Sequence, residues 1–203
     1  MAIKYQYNKT SLGDMRKALS MRQRALPTIK SKESALRLEV KKARDAATEY
    51  EEKLGDLLRR YEYMAALWGE FDQGLLRIKD INLETGKIAG VKIPVVKDIV
   101  FEQRDYDLFS SPVWFADGVE LLKEIARLGI EYEVYVRKTE LLDHARKKTT
   151  QKVNLYEKVQ IPGYEQAILK IKRFLEDEEN LSKSSQKIVK NKHEKQEKQE
   201  LQP

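Results

Sequence analysis

The chain has 203 residues and no cysteine, which excludes a disulfide framework and any thiolate metal site. Charged residues make up 35% of it and aromatic residues 8%, with only nine glycines and five prolines, the profile of long helices and coiled coils. The net charge of +6 permits nucleic acid, acidic lipid or an acidic protein surface as a partner and does not choose among them.

The opening segment, residues 1–9, is an N-terminal extension. "MAIKYQYNKTSLG" lacks the apolar core of an export signal, and no apolar run is long enough to span a bilayer, so a cytoplasmic location without direct membrane insertion is expected. Residues 10–78 are predicted to form one helix. Steps of three and four residues from Leu12 through Met15 and Leu19 reach Leu36, Val40, Ala43, Tyr50, Leu57, Tyr61, Trp68 and Ile78, with charge only at Arg22 and Glu33. A sustained 3.5-residue period predicts a left-handed supercoil. At about 1.5 Å per residue such a helix spans roughly 100 Å. Thr10 or Ser11 is the expected N-cap, and Pro27 predicts a kink because its ring removes an amide donor and crowds the carbonyl of Gln23.

Residues 79–129 read as a compact middle. Asp80–Gln103 is rich in Ile and Val, with period-two alternation and glycines between, which predicts a small β-hairpin. Thr85-Gly86-Lys87 lacks the upstream glycine and the following Ser or Thr of a phosphate loop and is expected to be a turn. Ser111 and Pro112 then open a short helix whose apolar face is Leu121, Leu122, Ile125, Ala126 and Leu128.

Residues 130–190 are predicted to form the returning helix, with a patchier apolar stripe through Leu141, Leu142, Ala145, Val153, Ile168 and Ile171. Pro162 and Gly163 fall inside it, where a break or bend is expected. Residues 191–203 have no apolar period and are expected to be disordered. The fold class is therefore mostly α: a long antiparallel two-helix coiled coil with a small central hairpin and short helix, one structural unit overall. A reversal centred near residue 97 would set Tyr61 near residues 132–136, Val40 near 153–157, and Arg22–Arg24 opposite the acidic run Glu176–Glu179.

No catalytic, cofactor-binding or metal site is expected. His144 and His193 are the only histidines and have no metal-ligand spacing, and no cysteine or nucleophile elbow is present. Glu176–Glu179 reads as a solvated or salt-bridged helix face. Basic residues concentrate between Ser20 and Arg44 and between Arg137 and Lys152, but Tyr50, Tyr61, Trp68 and Phe71 lie on the apolar seam rather than among them. That arrangement argues against nucleic acid. The aromatic content of the middle (Phe101, Phe109, Trp114, Phe115) suggests a partner surface there.

Residues Lys147, Lys148, Thr149, Lys152, Val153, Asn154, Leu155, Glu157, Ile161 and Pro162, followed by an Ile-containing helix with an acidic stretch and a Lys-rich end, resemble the C-terminal signature of the D subunit of the vacuolar/archaeal-type rotary ATPases, in its bacterial branch. Lys30, Lys32 and Leu36 resemble its N-terminal Lys motif, and "KIAGVKIPVV" its Gly-Val-x-x-Pro. Two departures stand out: "RALP" where the family has Gly-His, and Asn-Leu-Tyr-Glu for Asn-Ala-Leu-Glu. The resemblance implies a non-catalytic central-stalk rotor component without cofactor. Its partners would be the F subunit of the stalk, the catalytic hexamer of A and B subunits, and the ring-adjacent C subunit of the stalk. A prefoldin-like chaperone or a coiled-coil tether is the alternative that the residues leave open.

Overall fold

The computed structural model describes residues 3–72, 74–107 and 111–200, the side chains of 195–200 excepted. In chain order it contains helix α1 (Lys9–Arg60), two single turns of 3-10 helix (Glu62–Met64 and Leu67–Glu70), strands β1 (Leu76–Ile88) and β2 (Val91–Gln103), and helix α2 (Phe115–Asn154). A π-helical segment (Leu155–Gln160) and helix α3 (Ile161–Glu200) follow. The fold is mostly α with one two-stranded antiparallel sheet, as the periodicities predict. The chain divides into two compact units, one of residues 1–30 with 150–203 and the other of 31–149.

In the unit of residues 31–149, α1 and α2 run antiparallel on an apolar seam. Leu36 and Leu142 are fully buried on it, with Val40, Ala43 and Ala145 around them. The strict 3-4 spacing of Leu36, Val40, Ala43 and Ala47 keeps one stripe of α1 inward. The register differs from the expected one: Val40 packs with Leu142, not with 153–157, and Tyr61 packs with the cluster of Leu121, Ile125 and Leu128, not with 132–136. The cause is the position of the reversal. Residues 89 and 90 form the turn, with φ of 48° at Ala89 and 80° at Gly90, and Ile88 pairs with Val91. Positive φ at both central residues is the type I′ turn that suits a tight hairpin, and glycine accepts it without a Cβ clash. Thr85-Gly86-Lys87 is strand rather than turn, opposite Pro94, Ile93 and Lys92.

The α1 helix stops at Arg60, well short of Ile78, where the heptad ladder would carry it. The amide of Met64 bonds to Tyr61 and that of Ala65 to Glu62, tightening the chain into 3-10 turns. Burial of ring area decides this. Trp68 and Phe71 leave the heptad seam and join Trp114 and Phe115.

The hairpin lies lengthwise on the helix pair. Gln103 accepts a hydrogen bond from Lys123 Nζ at 3.1 Å, and Phe101 lies under the Arg127 guanidinium at 5.6 Å. At the other end Ile93 is buried among Leu36, Val40, Ala43 and Leu142. Between them Ile81 and Leu83 face Ala126, Gly129, Ile130 and Val134 across a cleft of about 410 Å³.

In the unit of residues 1–30 and 150–203, Asn8 caps α1. Its Oδ1 accepts from the Ser11 amide at 2.7 Å, while Ser11 Oγ accepts from the Gln6 amide at 3.2 Å. The cap thus lies upstream of the expected Thr10 or Ser11. Ahead of it Tyr7 meets Phe174, with ring centroids 4.9 Å apart, and Ile3 reaches Gly163. Ala167 and Ile171 are buried on α3. Helix α1 continues through Pro27, and the backbone continues through Pro162 by way of the π segment, so neither proline ends the helical path. The α3 helix also continues through Glu200, into the stretch where a disordered tail over 191–203 is expected. Good helix formers and an i,i+4 pair, Lys190–Glu194, favour that helical state.

Candidate functional site

Among the described residues the two histidines stand apart, His144 on α2 and His193 on α3. Among the described residues no group of three or more His, Asp or Glu side chains could hold a metal ion. His144 and His193 are exposed on α2 and α3, and Glu176–Glu179 is exposed on α3. That acidic run does not face Arg22–Arg24. Glu176, Glu178 and Glu179 line a shallow cleft with Lys9 and Arg16, roughly two to four turns nearer the start of α1, and Glu179 is held below the usual carboxylate range by Lys183. Asp143 is held low by hydrogen bonds from Lys147 and Arg146.

What the structure builds instead is packing surfaces, each stiffened in its own way. The first is an aromatic end in the unit of residues 31–149. Trp68 meets Trp114 edge-on at 5.6 Å, Phe71 lies 5.3 Å from Phe115, and Trp114 lies 4.9 Å from Phe115. Phe115 is buried by this cluster and Phe101 is covered by Arg127, so the rings expected to wait for a partner largely satisfy one another. Phe109 lies outside the described residues. What remains open beside them is a cleft of about 700 Å³. Tyr61, Tyr63, Met64 and Trp114 form its apolar part, and Asp117, Glu120 and Glu124 its acidic rim.

The second surface is the helix pair midway along that unit. The Tyr50 and Tyr135 rings stack at 5.3 Å, and Glu131 lies beside them. Burial raises the pKa of Tyr50, and the nearby Glu131 carboxylate adds to it; burial likewise raises that of Glu131.

The third is a cage around Arg22 in the unit of residues 1–30 and 150–203. Sequence periodicity marks Arg22 only as a charge on an apolar ladder. Its Nε donates to Gln160 Oε1 at 2.6 Å and its Nη1 to the Ala18 carbonyl at 2.9 Å. The guanidinium lies over the Tyr164 ring at 4.6 Å and near Tyr156 at 5.9 Å. Planar, weakly hydrated guanidinium suits such a mixed site, where a lysine would keep only a point charge. Two turns along α1, Lys30 pairs with Glu157 at 2.7 Å. The one sequence signal for this cage is the interruption of the apolar stripe by Arg22.

Paired helices with a strand hairpin laid along them, and with polar side chains turned outward, define a mostly helical protein. A family model for the ATP synthase D subunit matches residues 11–191, and the chain belongs to that family. Among similar proteins, the V-type ATP synthase D subunit of Borreliella burgdorferi is 29% identical over 189 residues, 92% of this chain and 94% of that one. That of Chlamydia abortus is 31% identical over 164 residues, 78% and 79% of the two chains. That of Chlamydia muridarum is 27% identical over 197 residues, 95% and 97%. The family resemblance carried by Lys147–Pro162 is borne out. Among the described residues no helix is long and apolar enough to cross a membrane.

Proposed function

We propose that this chain is a non-catalytic central-shaft component of a V-type rotary ATPase. It carries torque between the head that makes or breaks ATP and the membrane ring that moves ions. The observation that carries this reading is the family match over residues 11–191, on a chain whose helices are cross-braced side chain to side chain. Torque twists a helix pair, and twist is resisted only where the helices are joined off-axis. Stacked rings at Tyr50–Tyr135 and the Arg22 cage are such joints.

The partners on this reading are the A and B hexamer around the shaft, the F subunit at its side and the stalk's C subunit near the ring. The complex would sit on the cytoplasmic face as a peripheral assembly. The isolated chain should bind no nucleotide, because Thr85-Gly86-Lys87 lies in a strand without phosphate-loop geometry.

The test uses the absence of native cysteine. Met21 is 69% exposed, and the thiol of a Met21→Cys variant is cross-linked to the head in the assembled enzyme. ATP turnover should stop on cross-linking and resume on reduction. Full turnover with the cross-link complete would overturn the reading.

A further inference from the structure

The segment Leu155–Gln160 is π-helical: the amide of Ile161 bonds to the carbonyl of Tyr156, five residues back. Such a turn encloses one residue more than an α turn. It therefore inserts a residue without rotating the helix that follows. Its place is explained by Pro162. In an α register the ring would crowd the carbonyl of Lys158, four residues back, and that carbonyl would have no donor. A wider turn moves the carbonyl away from the ring. Pro27 stands in α1 without a π segment, so a proline alone does not produce one.

The second element is the cage. Arg22 holds Gln160, the last residue of the turn, and Tyr164, one turn further on, while Lys30 holds Glu157 inside it. These contacts reach both the widened turn and the helix beyond. On that helix Ala167 and Ile171 are buried, and a rotation by one residue, about 100°, would carry both out of the seam.

We propose that Leu155–Gln160 is a register lock. It is a one-residue insertion, held wide by Pro162 and fixed in rotation by Arg22, and it decides which face of α3 packs on α1.

Deletion of one residue tests it in the full-length chain. Removing exposed Lys158 should return the segment to α register and bring the Pro162 ring against the Glu157 carbonyl, so the melting temperature should fall. In a Pro162→Ala background the same deletion should cost little, because nothing then requires the wide turn. Removing Lys170, exposed between Ala167 and Ile171, should lower the melting temperature equally in both backgrounds. If deleting Lys158 costs as much in the Pro162→Ala background as in the parent, the insertion is not what Pro162 holds and the proposal fails.

A point variant serves where a deletion does not fold. Arg22→Lys keeps the charge and loses the Nε bond and the planar stack. Amide exchange over 156–161 should quicken about tenfold, the scale of one lost charge-assisted bond. Exchange over 36–43 should stay unchanged. Unchanged exchange over 156–161 would remove Arg22 from the lock.

Discussion

A Cβ built on Gly163 would stand 2.9 Å from Cδ1 of Ile3. The glycine that looks like a helix breaker in the sequence is thus a seat for a side chain from the start of the chain. Two effects then compete on substitution. Alanine gains about 1 kcal/mol of helix propensity over glycine and meets the Ile3 side chain. That chain end is flexible and can yield, at the expense of its packing.

Gly163→Ala should therefore stabilise the chain by about 1 kcal/mol only in an Ile3→Ala background, and by clearly less in the native one. Urea denaturation of the parent and the three variants measures the difference. Equal gains in both backgrounds would show that Ile3 does not occupy the site.

The hairpin turn offers a gain. Ala89 adopts φ of 48°, which disfavours a residue with a Cβ, and Asn tolerates it because its side chain bonds locally. Ala89→Asn makes the Asn-Gly pair favoured in type I′ turns and should add about 0.5–1 kcal/mol. Gly90→Ala should cost about 1–2 kcal/mol, since its φ is 80°. Thermal melts that rank the two variants the other way would contradict the turn assignment.

Coupling between Tyr50 and Tyr135 reports the helix register. A double-alanine cycle should return about 0.5–1.5 kcal/mol of interaction, as for stacked aromatic pairs. A coupling of zero would mean the rings do not meet in solution.

The pH dependence near Asp143 has a definite sign. Lys147 and Arg146 hold its folded pKa below the unfolded value, so its contribution is present above the unfolded pKa of about 4 and is lost as pH falls through the folded one. Solvent screening limits the effect to about 1 kcal/mol at most. Asp143→Asn should lower stability at about pH 7 and converge with the parent near pH 2, followed by guanidinium titrations at each pH. A constant difference at all pH values would assign the cost to packing. Glu131 runs the opposite way: its raised pKa means that stability declines as pH rises through it.

Local periodicity alone determined much of this protein. The 3-4 spacing of Leu36, Val40, Ala43 and Ala47 defines an inward stripe on α1 whatever lies opposite, and alternation through Ile81, Val91 and Ile93 defines strands. Such patterns are readable because each side chain's direction follows from its own backbone. The motif around Lys147–Pro162 was likewise enough to identify the family.

Other features were decided only in three dimensions. The register, with Val40 at Leu142, depends on where the chain turns and on connectors of unequal length, neither of which has a period. The end of α1 at Arg60 reflects ring burial among Trp68, Phe71, Trp114 and Phe115, which outweighs a heptad that could have continued. Pro162 and Gly163 read as a break because propensity is a local quantity. In the fold the proline is accommodated by one extra residue in the turn before it, and the glycine by the space Ile3 requires. Arg22 shows the same dependence on tertiary structure. On a heptad ladder it is a charge out of place, and only the arrival of Gln160, Tyr156 and Tyr164 from α3 and the turn before it supplies the acceptor and rings that make partial burial of a guanidinium favourable.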